Sequence, residues 1–164
     1  MAHRLYLMRH AQSADKQHGQ HDMDRGLTSA GMQEAATIGH FFKKNNYAVD
    51  LIVSSPAERA KATAKMVHGI LNLKPEVAIN EELYKASVRN FVQIATRLDD
   101  GFKNILVIGH NPYISYFAEY LTKAEIGGLE TAGLVSIRFE ISKWAEVSEG
   151  TGTLENQVRP SIIE

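Results

Sequence analysis

The chain has no cysteine among its 164 residues, which excludes disulfides, thiolate metal sites and a cysteine nucleophile and fits a reducing compartment. It also lacks an excess of charge. Eighteen Lys and Arg against nineteen Asp and Glu leave a formal net charge of −1, without the global positive field that nonspecific nucleic-acid binding needs. No apolar run approaches the roughly 20 residues of a membrane span. The opening MAHRLYLMRH is too brief, and runs too soon into charged residues, to read as a signal peptide; it reads as a buried strand. No linker, internal repeat or low-complexity tract divides the chain. The expectation is one soluble, cytoplasmic domain over residues 1–164, without nucleic-acid or membrane partners, in which any anion must be met locally.

What is present is a core: 44% of residues are hydrophobic and they are spread along the whole length. Leu5 to Met8, Leu51 to Val53 and Ile105 to Ile108 are short runs rich in branched residues, the pattern of strands covered on both faces of a parallel sheet. Between and after them, apolar residues recur at helical spacing. The stripes are Ala35, Ile38, Gly39, Phe42; Ala60, Thr63, Val67, Ile70; Phe91, Ile94, Ala95, Leu98; and Ile114, Phe117, Ala118, Leu121. Ser55, Pro56 and Glu58 have the spacing of a capping box opening the second helix, while Ser87 and Asn111 are cap candidates for the third and fourth. Val135, Ile137, Phe139 and Ile141 alternate with polar residues, which predicts an edge strand with one exposed face, antiparallel to its neighbour. Strands alternating with helices predict an α/β fold: a three-layer, open, mostly parallel sheet with right-handed crossovers and helices on both faces.

In such sheets ligands bind beyond the carboxyl ends of the strands. The first strand is followed by Arg9 and His10, the second by Ser54-Ser55-Pro56 with Arg59 one helical turn on, and the third apolar run by Gly109-His110-Asn111-Pro112. Two guanidinium groups offer planar donor forks that match and neutralise a phosphate dianion, and helix N-termini add unpaired N–H groups. Flanking cations keep an imidazole neutral, the form in which it attacks phosphorus. The pattern therefore points to covalent phosphoryl chemistry at His10, with Arg9, Arg59 and His110 on the phosphate oxygens, and without need of a metal or other cofactor.

The same residues carry a resemblance. Leu7-Met8-Arg9-His10-Ala11 resembles the Arg-His-Gly signature of the histidine phosphatase superfamily, with alanine in place of glycine. Asp24-Arg25-Gly26-Leu27-Thr28-Ser29-Ala30-Gly31, Ser54-Ser55-Pro56-Ala57-Glu58-Arg59-Ala60, Leu83-Tyr84, Gly109-His110-Asn111-Pro112 and Thr131-Ala132-Gly133 are similar in order and spacing to the SixA-type phosphohistidine phosphatases. The likeness runs from about Leu5 to about Phe139. It implies a phosphoglycerate mutase-like fold without a large cap insertion and a metal-independent phosphatase with His10 as phosphate acceptor. It also implies a phosphohistidine substrate on a signalling protein such as a histidine phosphotransfer domain. Many relatives place an acidic proton donor on a loop after a middle strand, which here designates Glu82 or Glu81, although an imidazole leaving group lowers the need for one.

Each residue has a plainer reading beside the chemical one. His10 alone reads as a hydrogen-bonded structural histidine, and Arg59 alone as a solvated helix residue; the shared register of Arg9, His10, Arg59 and His110 is what argues otherwise. Arg25 reads as a surface charge or a phosphate contact, Ser13 as a cap or turn residue or a hydroxyl lining the pocket, and Asn111 as a cap first and a shaper of the pocket second. His18 and His21 sit in a polar loop over Asp15 to Arg25 and suggest a metal only weakly by spacing. The rival functions are a broad phosphatase of small phosphorylated molecules, a mutase, a metal hydrolase built on His10, His18, His21 and His110, and a phospho-ligand binding module without turnover.

Overall fold

The computed structural model describes residues 2–163. Six strands form one sheet: β1 (His3–Arg9), β2 (Leu51–Ser54), β3 (Ala78–Ile79), β4 (Asn104–Gly109), β5 (Leu134–Phe139) and β6 (Gly152–Val158). Their spatial order is β3-β2-β4-β1-β5-β6, parallel from β3 through β1 and antiparallel at β5 and β6. Four helices are threaded between them: α1 (Ser29–Lys44), α2 (Glu58–Leu71), α3 (Val88–Thr96) and α4 (Tyr113–Thr122).

Strand alternation divides the core in two. Tyr6, Met8, Ile52, Leu106 and Ile108 face Ala35, Ile38 and Phe42 of α1 and Ala60, Ala64 and Val67 of α2. Leu5, Leu7, Val53, Ile105 and Val107 face Phe91 and Ile94 of α3 and Phe117 and Leu121 of α4. Both faces of β1 and β4 are thus dry, which is why these strands carry no polar alternation. The result is the three-layer α/β arrangement expected from the sequence.

Three local expectations give way to tertiary contacts. The Val135–Ile141 segment is not an edge: β5 lies between β1 and β6, and only Arg138 of β5 is exposed. The edges are β3 and β6, whose sequence GTLENQV is too polar to advertise a strand. Ser55 does not cap α2, which opens at Glu58 after Ala57 with no side-chain cap; the Ser55 hydroxyl instead accepts from the Ala57 N–H at 3.2 Å and meets His110. Asn111 does not cap α4 either, since its side chain donates to the Leu129 carbonyl at 2.8 Å and accepts from the Ser115 hydroxyl.

Ser87 is the cap that forms as expected, with its hydroxyl accepting from the Asn90 N–H at 3.2 Å and the Asn90 side chain accepting from the Ser87 N–H at 2.9 Å. At α1 the Thr28 hydroxyl accepts from Gly31 N–H. A side chain at Gly31 would collide with the Gln12 carbonyl, so glycine lets α1 press against the loop that follows β1. Ser87→Ala removes half of a reciprocal cap, and urea unfolding is expected to show a loss of about 1 kcal/mol.

Candidate active site

The register of β1 and β4 brings the two imidazoles together. Arg9 pairs with Gly109 in the parallel ladder, so His10 and His110 leave adjacent strands at the same level, with ring centroids 5.1 Å apart and planes inclined by 55°. The His10 N–H donates to the Gly109 carbonyl at 3.1 Å, and the His10 carbonyl accepts from the Ala132 N–H at 3.0 Å. On the other side of β4 the Ser55 N–H donates to the Ile108 carbonyl, and α2 starts three residues later with Arg59 in its first turn. Buried Thr63 joins the two sides: its hydroxyl donates to the Arg59 carbonyl at 2.7 Å and accepts from the Ala11 N–H at 3.0 Å.

These elements frame a cavity of about 490 Å³ whose lining includes Arg9, His10, Arg59 and His110. His10 Nδ1 lies 2.7 Å from the Ala11 carbonyl, and because a carbonyl only accepts, Nδ1 carries the proton and Nε2 keeps its lone pair. Burial, reinforced by the charges of Arg59, Arg9 and Arg25 and opposed by the Ala11 hydrogen bond, pushes the His10 pKa down to about 4. Burial, with the neighbouring His10 and Arg59, lowers His110 to about 3. The His110 Nε2 is 2.8 Å from the Ser55 hydroxyl. At neutral pH both rings are uncharged.

The arginines are anchored with donors to spare. Arg9 donates from Nη1 to the Leu129 carbonyl at 3.1 Å, and Arg59 donates from Nη1 to the Asp22 carbonyl at 2.9 Å and from Nη2 to its carboxylate at 3.0 Å. The Nε–H of each is buried without an acceptor. An unpaired buried donor on a cation is costly, and an anion in the cavity would relieve the cost by neutralising the charge.

Of two further lining residues, Tyr84 entered the sequence reading only within the Leu83-Tyr84 motif, with no role, and Asp22 not at all. The Asp22 carboxylate accepts from the Tyr84 hydroxyl at 2.6 Å, from Arg59 and from Arg25 Nε at 2.9 Å; these partners, Tyr84 foremost, hold its pKa well below the usual carboxylate range. Tyr84 also stands edge-on to the His110 ring, with centroids 5.8 Å apart. Arg25, whose Nη1 also donates to the Ser13 hydroxyl and the Ala14 carbonyl, lines the cavity together with Ser13, Lys85 and Asn111. Glu81 and Glu82 do not line it; both are exposed in a short turn in which the Glu82 N–H is held by the Asn80 side chain. His18 and His21 are exposed outside the cavity, and among the described residues no group of three or more His, Asp or Glu converges as metal ligands.

Residues 5–88, a little over half of the chain, match the family model of the histidine phosphatase superfamily, branch 1. The chain belongs to that superfamily. This histidine phosphatase is 31% identical over 156 residues to an uncharacterized protein of Mycobacterium tuberculosis, covering 90% of this chain and 96% of the relative. A solved protein histidine phosphatase SixA in complex with tungstate superposes with a TM-score of 0.84 at 25% identity, over 98% of this chain and 99% of that one. A SixA from Agrobacterium tumefaciens, proposed to be a phosphohistidine phosphatase, gives 0.83 at 26% identity over 96% and 98%. The mycobacterial glucosyl-3-phosphoglycerate phosphatase in complex with phosphate gives 0.68 at 16%, over 98% and 100%, a likeness of fold. Within the superfamily this phosphatase is of the SixA type.

Linkage follows from the two buried rings. An unfolded histidine titrates near pH 6.5, whereas His10 and His110 stay neutral to about 4 and about 3, so between these values the unfolded chain binds more protons. Their contribution to stability is complete above about pH 6.5 and is lost as the pH falls toward 4. Melting temperatures measured from about pH 7 down to about pH 4.5 are expected to fall, and to fall less steeply in the His10→Asn, His110→Asn double variant.

Proposed function

We propose that the phosphatase removes phosphoryl groups from phosphohistidine on a protein, through a covalent phospho-His10 intermediate. The observation that carries this reading is the neutral His10 ring, tied through Nδ1–H to the Ala11 carbonyl, in a cavity that it shares with Arg9, Arg59 and His110. A nucleophile needs an available lone pair, and Nε2 has one without any prior proton transfer.

In the first step Nε2 attacks phosphorus and the P–N bond of the substrate breaks. The departing imidazole, already protonated on its other nitrogen, takes the bonding pair and leaves neutral. In the second step water attacks phosphorus, the Nε2–P bond returns its pair to His10, and the protons of water end on inorganic phosphate and in solvent. His10 Nδ1 keeps its proton throughout. Arg9 and Arg59 supply the charge that the equatorial oxygens need, and His110, next to the attacking ring, is drawn toward its protonated form, with an N–H on each nitrogen, as the dianion raises its proton affinity.

Such a leaving group needs no strong acid, which fits a cavity whose acidic lining residue is held ionised while Glu82 stays outside. Likeness to the SixA structures supports a protein substrate. Small phosphorylated molecules are the second reading, to be separated by a substrate panel. The wild type incubated with a labelled phosphoryl donor is expected to form an acid-labile adduct at His10. His10→Ala, with its fold intact, should form none and lose turnover by about three orders of magnitude or more. Comparable turnover in the variant would sink the mechanism. Turnover should also persist in excess chelator, whereas loss reversed by zinc would favour a metal hydrolase.

A further inference from the structure

Among the described residues Asp22 is the one carboxylate lining the cavity, and direct contact with a phosphate does not account for it, because a fixed negative charge beside a dianion is repulsive. Its side chain is 43% exposed, while that of Arg59, to which it is bonded, is 7% exposed. The carboxylate thus stands toward the rim, above the buried Arg59 guanidinium and beside the cations Arg25 and Lys85. Asp22 is fixed there by three separate donors, Arg25, Arg59 and Tyr84.

We propose that Asp22 selects substrates by the charge of the group attached to the phosphoryl, favouring cationic or N–H-bearing leaving groups and disfavouring anionic ones. The inference rests on the phosphatase reading of this cavity. The phosphoryl group is common to all substrates, so its repulsion by Asp22 cancels when they are compared. What differs is the charge just outside the phosphoryl, at the depth of the rim.

A phosphohistidine ring protonated on its distal nitrogen presents an N–H and a positive charge to that carboxylate. The carboxylate or second phosphate of a sugar-acid phosphate or a nucleotide presents the opposite. Lys85, exposed and 5.9 Å from the Tyr84 ring centroid, pulls the other way, but its contribution is the same before and after substitution at Asp22. Arg25 is already engaged by the carboxylate. For a partly exposed charge within a few ångströms of another, screening leaves a discrimination of about tenfold.

The test is binding, by calorimetry, of three alkyl phosphates that differ mainly in charge: phosphocholine, glycerol 1-phosphate and 3-phosphoglycerate. The host is the His10→Ala protein, which cannot turn them over, with Asp22 intact or carrying Asp22→Asn, Asp22→Ser or Asp22→Glu. The affinity ratio of phosphocholine to 3-phosphoglycerate is expected to fall about tenfold in both neutral variants and to hold in Asp22→Glu, with glycerol 1-phosphate between. The difference should shrink in about 0.5 M salt. An equal loss for all three ligands would make Asp22 only a positioning residue for Arg59 and overturn the proposal, as would no measurable binding of any of them. Failure of the phosphohistidine reading is seen separately, as a missing adduct in the wild type, and leaves this ratio readable.

Discussion

Parallel pairing of β1 with β4 is the constraint from which the rest of the cavity follows. Because Arg9 and Gly109 are cross-strand partners, the next residue of each chain segment must emerge at the same height, and both are histidines. Inserting β4 between β1 and β2 also makes β1 and β2 feed loops on either side of one strand end. The Ser55–Arg59 segment therefore reaches the imidazoles although His10 and Arg59 are 49 positions apart in the chain. Crevices of this kind arise wherever the strand order reverses direction.

The electrostatics follow from burial rather than from charge count. The chain as a whole is near neutral, yet Arg59 is buried and Arg9 half-buried at one cavity. The Asp22 carboxylate, at the margin, pairs with Arg59, while Arg9 bonds a backbone carbonyl and feels the Glu34 charge from farther off. The imidazoles respond by remaining neutral. A site with surplus positive charge and spare N–H donors stores part of its binding free energy in advance, since an anionic guest removes a penalty already present in the folded protein.

Much of this was legible in the sequence because it depends on strands covered on both faces. β1, β2 and β4 are nearly uninterrupted apolar runs, so their carboxyl ends could be found, and with them Arg9, His10, Arg59 and His110 as a group. β6 was not legible, since an edge strand with one wet face and polar residues such as Glu155 and Asn156 has no distinctive pattern. Ser55 and Asn111 obeyed local capping statistics on paper, but their side chains are claimed by His110 and by Leu129 and Ser115. Asp22 was hidden for another reason. It lies in a polar stretch without periodicity, and its place is set only by contacts with Arg59 and with Tyr84, 62 residues away.

The Thr63 hydroxyl has a mechanical meaning beyond its two hydrogen bonds. It ties the backbone just past His10 to the backbone of Arg59 through a single buried atom, so the imidazole and the guanidinium are held to a common base. Relative motion between them would have to break a shielded contact at the base of the cavity. Spacing between the His10 ring and the Arg59 guanidinium is thereby set by a contact that water does not reach.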